Sequence, residues 1–119
     1  MDEIKWGDVF LADLGEGSGS EQRGVRPVII VQNNTGNRYS TTVTVIPVTT
    51  KIHKSKGLPT HLVLGNRFGL EETSAAMAEQ ITTIDKAKLL EYLGRVDDKY
   101  MKKQINKIIL VQIGLRRTH

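Results

Sequence analysis

Apolar and polar residues alternate with a period of two through most of this chain. Gly7-Asp8-Val9-Phe10-Leu11-Ala12-Asp13-Leu14 predicts a first strand. The unbroken β-branched run Val28-Ile29-Ile30-Val31 predicts a buried central strand over Pro27–Gln32. Asn33-Asn34-Thr35-Gly36-Asn37 has the chemistry of a turn. Thr41 to Val48 alternates and is strongly β-prone, with Pro47 marking a strand end or a bulge. His61-Leu62-Val63-Leu64 predicts a short strand, Ser74 to Thr83 one strand or two joined by a bend, and Leu93-Gly94-Arg95-Val96 one more.

The period changes near the end. Asp97-Asp98 suits a helix N-cap and first turn. Met101, Ile105, Ile108, Ile109, Gln112 and Leu115 then recur at helical spacing, which predicts a helix of about five turns from Asp98 to Leu115. Ile105, Ile108, Ile109 and Leu115 are expected to face inward, with Lys99, Lys102, Lys103 and Lys107 on the solvated face. Six or seven short strands and one C-terminal helix predict a mainly β domain, a small curved antiparallel sheet or half-open barrel.

Composition narrows the chemistry. A chain of 119 residues is expected to be one domain over its whole length, large enough to fold without staples. It has no cysteine, which removes thiolate zinc sites, iron–sulfur clusters, thiol catalysis and disulfides. No apolar stretch is long enough to span a membrane and the first residues are no signal peptide, so a soluble, cytoplasmic protein is expected. The formal charge of +4 says little beyond solubility. Its placement says more: Lys51, His53, Lys54 and Lys56 cluster with no acid among them, the kind of local patch a polyanion needs.

One loop stands out. Gly15 to Gly24 is rich in glycine and serine and leads into Arg26-Pro27 at the mouth of the central strand. Its four glycines (Gly15, Gly17, Gly19, Gly24) make order costly, so a movable polar flap is expected there. Pro27 restricts Arg26 to extended backbone, which fixes a guanidinium at a strand end beneath that flap. Such an arrangement suits gripping a phosphate.

Five blocks, in order and spacing, resemble the MazF/PemK (Kid) family of bacterial toxins, and its Gram-positive MazF branch in particular. They are Trp6 to Leu14, Gly19 to Asn33, Pro47-Val48-Thr49-Thr50, Leu58-Pro59-Thr60-His61 and Glu79 to Asp85. The resemblance implies a small SH3-like barrel, shared with the gyrase poison CcdB. It implies a type II toxin that is a ribosome-independent, sequence-specific endoribonuclease, cutting single-stranded mRNA without a metal or other cofactor. Products would carry 2′,3′-cyclic phosphate and 5′-hydroxyl ends, and the cleavage site would be a pentanucleotide such as UACAU. The implied partners are single-stranded RNA, a second copy of the chain, and a MazE-like antitoxin whose C-terminal tail covers the RNA site. DNA operator contact would come only through that antitoxin, and no membrane is involved.

Carried over residue by residue, the resemblance makes Arg26 and Thr49 catalytic. Ser20, Glu21, Gln22, Thr50, Lys54, Glu79 and Gln80 would bind RNA. A guanidinium fork fits two non-bridging phosphate oxygens, and a threonine hydroxyl donates to the phosphate or orients the 2′-hydroxyl. The general base stays open between Glu21 and His61. Phe10, Tyr39 and Phe68 are the aromatics available to stack a base, with core duty favoured for Phe10. A non-enzymatic nucleic-acid-binding barrel, or a CcdB-like gyrase poison, is the competing reading.

Overall fold

The structure is a computed structural model that describes residues 3–16 and 23–118. Seven strands form one curved antiparallel sheet: β1 (Asp8–Asp13), β2 (Val25–Ile30), β3 (Thr42–Thr49), β4 (His61–Gly65), β5 (Ser74–Met77), β6 (Thr82–Asp85) and β7 (Leu89–Arg95). Their order is β4-β5-β3-β2-β1-β7, and β6 pairs with β3 beside β5. Two helices complete the fold, α1 (Asn34–Tyr39) and α2 (Lys99–Gln112).

The continuous apolar runs have a direct cause: β1, β2 and β3 are buried on both faces. Val9, Ile29, Ile46 and Val48 join Ile105 and Ile108 of α2 in one core cluster. Their neighbours Phe10, Val28, Ile30, Val43 and Val45 form a second cluster with Leu89 and Ile4. A strand with core on each side has no polar face to alternate with.

Both prolines of the sheet sit where a ladder stops. β2 begins at Val25, two residues before Pro27, and pairs with β1 alone until Val28 meets Pro47 of β3. Pro27 is therefore on a locally open edge, where its missing N–H costs no ladder bond. On its other side β3 pairs with β6 as far as Val45 and with β5 from Val48. Pro47 stands in the gap between those two ladders. It lies inside the strand rather than at its end.

Elsewhere the sequence expectations are sharpened or corrected. Ser74 to Thr83 is two strands joined by a 3₁₀ turn, Ala78–Gln80. The asparagine-rich stretch is a helix start: Asn33 caps α1 by accepting the Gly36 N–H at 2.8 Å. Asn37 is buried, with its amide donating to the Gln32 carbonyl and to Asn34. β7 begins at Leu89, earlier than its apolar pattern indicates, because Leu90 and Tyr92 are exposed on an edge strand. Asp98 caps α2 as expected, accepting the Tyr100 N–H. The helix stops before Gly114, whose φ is +79°, and Leu115 beyond it is 74% exposed rather than inward-facing.

Candidate active site

Three chain segments converge on one cleft of about 260 Å³. β2 brings Arg26, the end of β3 and the following 3₁₀ turn (Ile52–Lys54) bring Thr49, Lys51 and Lys54, and the Ala78–Gln80 turn brings Glu79 and Gln80. Leu58, His61 and Met77 complete the wall. Sheet topology explains the meeting: β2 and β5 flank β3, so the end of β3 lies between Arg26 and the turn that follows β5.

Arg26 is held by its stem side. Its Nε donates to the Arg23 carbonyl at 3.0 Å. No carboxylate lies within ion-pair distance of it among the described residues. Its terminal amino groups are thus not neutralised by an acid of the described chain. The loop it borders closes with a pair of backbone bonds, Leu14 N–H to Gly24 carbonyl at 3.0 Å and Gly24 N–H to Gly15 carbonyl at 2.8 Å.

Thr49 is buried, and its hydroxyl oxygen accepts the Lys51 backbone N–H at 3.1 Å. The bond uses one of the oxygen's two lone pairs and orients the hydroxyl, whose proton stays available to donate. Lys51 and Lys54 add two ammonium groups to the same cleft. Of the basic cluster seen in the sequence, His53 and Lys56 do not line it.

Glu79 is the carboxylate of this cleft among the described residues, and it is tied down at both oxygens. Oε1 accepts from the Thr60 hydroxyl at 2.8 Å. Oε2 lies 2.5 Å from His61 Nε2, and His61 Nδ1 lies 2.8 Å from the Ser55 hydroxyl. Ser55 and Thr60 were not singled out from the sequence. Pairing of β4 with β5 brings Glu79 beside Thr60 and His61, while the 3₁₀ turn after β3 returns Ser55 to His61.

The remaining expected site residues divide. Gln80 and Lys54 line the cleft; Ser20, Glu21 and Gln22 lie outside the described residues. Thr50 is exposed and lines a different cleft of about 310 Å³ together with Glu71, Glu72 and Glu91. Adjacent residues at a strand end point to opposite faces, so Thr50 is not brought together with Arg26 and Thr49. None of the three aromatics lines the Arg26 cleft. Phe10 is a core residue stacked edge-to-face on Tyr92, with centroids 5.6 Å apart. Tyr39 packs under Arg38 and Phe68 under Arg67. Among the described residues, no three His, Asp or Glu side chains converge as metal ligands.

Comparison with known proteins gives the family. Residues 5–112 match the family model described as PemK-like, MazF-like toxin of type II toxin–antitoxin system. The chain is 47% identical to a Staphylococcus saprophyticus protein named Endoribonuclease MazF, covering 98% of each chain. It is 43% identical to Endoribonuclease EndoA of Bacillus subtilis, over 94% of this chain and 96% of that one. Among solved structures it is similar to a mycobacterial endoribonuclease in complex with its cognate antitoxin, with a TM-score of 0.75, 30% identity and 98% of each chain covered. The chain therefore belongs to the PemK-like, MazF-like toxins of type II toxin–antitoxin systems.

Proposed function

We propose that this MazF-like endoribonuclease cuts single-stranded RNA by attack of the 2′-hydroxyl on the adjacent phosphate, with no metal ion. The observation that carries the proposal is the convergence, in a single basic cleft, of a guanidinium with no ion-pair partner among the described residues, a hydroxyl donor and one anchored carboxylate. Arg26 offers its fork to two non-bridging oxygens and offsets the charge that grows on the phosphorane. The Thr49 hydroxyl donates a further hydrogen bond to the same group. Glu79 accepts the 2′-hydroxyl proton as the 2′-oxygen bonds to phosphorus. The bond to the 5′-oxygen then breaks, and water at the exposed mouth, beside Lys51 and Lys54, returns a proton to it. The products are a 2′,3′-cyclic phosphate and a 5′-hydroxyl.

This reading moves the base from the two residues considered from sequence to Glu79. His61 has both ring nitrogens engaged, which leaves no lone pair for substrate. Gln80, next to Glu79 on the same turn, supplies an amide suited to the edge of an unstacked base. The partners follow from the charge of the cleft. A disordered acidic tail of a MazE-like antitoxin laid over Lys51 and Lys54 competes with RNA for the same cations, and that antitoxin carries any operator contact. The working unit is a cytoplasmic homodimer.

The test is cleavage of a synthetic RNA by purified protein in excess EDTA, with the ends mapped chemically. Cleavage leaving 5′-hydroxyl ends is expected. Binding without cleavage returns the chain to the competing class of nucleic-acid-binding barrels. Loss of activity in EDTA that Mg²⁺ restores refutes the metal-free route.

A further inference from the structure

His61 stands in the cleft wall but is enclosed, its side chain keeping 5% of its accessible surface, whereas Glu79 keeps 33%. The ring joins two elements that are far apart in sequence. Nδ1 meets the Ser55 hydroxyl at 2.8 Å, on the segment after β3, and Nε2 meets Glu79 at 2.5 Å, on the turn after β5. An ionised carboxylate only accepts, so Nε2 must carry a proton. In the neutral ring Nδ1 is then an acceptor for the Ser55 O–H. Thr60 donates to the other Glu79 oxygen at 2.8 Å.

A free glutamate samples many rotamers about its three side-chain bonds. Two donors on opposite oxygens leave Glu79 one orientation. We propose that His61, oriented by Ser55, is a positioning residue that aims the Glu79 carboxylate at the substrate while touching no substrate itself. This rests on the reading that Glu79 accepts the 2′-hydroxyl proton. The histidine does for a carboxylate what a carboxylate does for histidine in a hydrolase triad: it fixes direction.

The proposal makes a specific kinetic claim, because misaiming a proton acceptor slows chemistry without weakening the grip on phosphate. His61→Phe, which fills the space but donates nothing, is expected to lower the saturating single-turnover rate by about tenfold to a hundredfold, through misplacement of the acceptor. RNA affinity should stay within about threefold, since Arg26, Lys51 and Lys54 still hold phosphate. His61→Gln, which retains an N–H at similar reach, should recover most of the rate. In a Glu79→Gln background His61→Phe should cost no more than about twofold further, because coupled residues are not additive. An equal, independent loss in that background, or a loss of affinity with an unchanged rate, overturns the proposal. Matching thermal melts of the variants exclude unfolding as the cause. A long-range ¹H–¹⁵N spectrum of the RNA-free protein reads the ring directly. A proton on Nε2 supports the arrangement, and a proton on Nδ1 alone overturns it. That spectrum is independent of cleavage. Failure of the wild-type protein to cut RNA would remove the ribonuclease reading, while the spectrum still decides the contact.

Discussion

Thr49 receives the backbone N–H of Lys51 on its hydroxyl oxygen at 3.1 Å, so the residue that ends β3 also fixes the start of the basic segment beside it. Thr49→Ala removes both the anchor and the donor. Turnover should fall by about 10²-fold or more, as for loss of one transition-state donor. Thr49→Ser keeps both groups and should retain partial activity. Single-turnover rates measured alongside RNA affinity check this, and a loss confined to affinity would demote Thr49 to a binding residue.

Arg26→Lys should fail almost as completely as Arg26→Ala. An ammonium supplies charge but not two parallel donors. The residue sits at a strand mouth, outside both core clusters, so both variants should melt close to the wild-type temperature. Near-normal cleavage by Arg26→Lys would show that charge alone is required.

Lys54 stands in the cleft with no carboxylate of the described residues within ion-pair distance. If it contacts one phosphate, Lys54→Ala should reduce the slope of log affinity against log salt by about 0.7 for a single strand. Binding isotherms at several salt concentrations give that slope. An unchanged slope would place Lys54 off the RNA path.

Gly94 and Phe68 show how tightly the sheet edge is closed. A Cβ on Gly94 would stand 2.4 Å from the Phe68 carbonyl oxygen, and one on Gly69 would stand 2.0 Å from that of Leu93. Both obstacles are backbone and cannot swing aside. Gly94→Ala should therefore cost about 3 kcal/mol or more in stability. Urea unfolding monitored by circular dichroism checks this, with a midpoint near wild type as the contrary result.

Acid should loosen α2. The hydrogen bond from the Arg67 guanidinium outweighs desolvation and, with the Tyr100 and Met101 amides, holds the Asp98 carboxyl below the usual carboxylate range. A lowered folded-state value stabilises above the unfolded value of about 3.9, and the contribution fades as pH falls through the folded value. Asp98→Asn keeps a capping side chain but removes this titration. The drop in melting temperature between about pH 7 and pH 3 should be smaller in Asp98→Asn than in wild type. Equal drops would assign the acid sensitivity to other groups.

The sheet was legible in the sequence where burial is two-sided. Val28 to Val31 announces β2 by an unbroken apolar run, and Thr41 to Val48 announces β3 by alternation that turns continuous from Val45, where both faces are buried. The start of β7 was not legible, since an edge strand with Leu90 and Tyr92 in solvent carries little pattern. Asn33 to Asn37 misread as a turn because the residues that favour turns also cap helices. Of the residues that line the cleft, Arg26, Thr49, Glu79 and Gln80 lie in the motif blocks and Lys54 in the basic cluster of the sequence. Thr60 lies in a motif block but its role, like that of Ser55, depends on what the fold sets against it: Glu79 across the β4–β5 pairing for Thr60, and the His61 ring for Ser55.

Thr49 and Thr50 have one side chain between them in chemical terms, yet one faces two lysines and an arginine and the other three glutamates. What separates them is parity. A single residue inserted between Ile46 and Thr49 would leave every letter of the Pro-Val-Thr-Thr block's threonine pair in place. It would also turn Thr49 to the face of the glutamates, away from the cations offered to phosphate. The address of the active threonine is thus written in the count of residues from the sheet's last fixed pairing, which makes the length of β3 as much a part of the enzyme as the residues at its end.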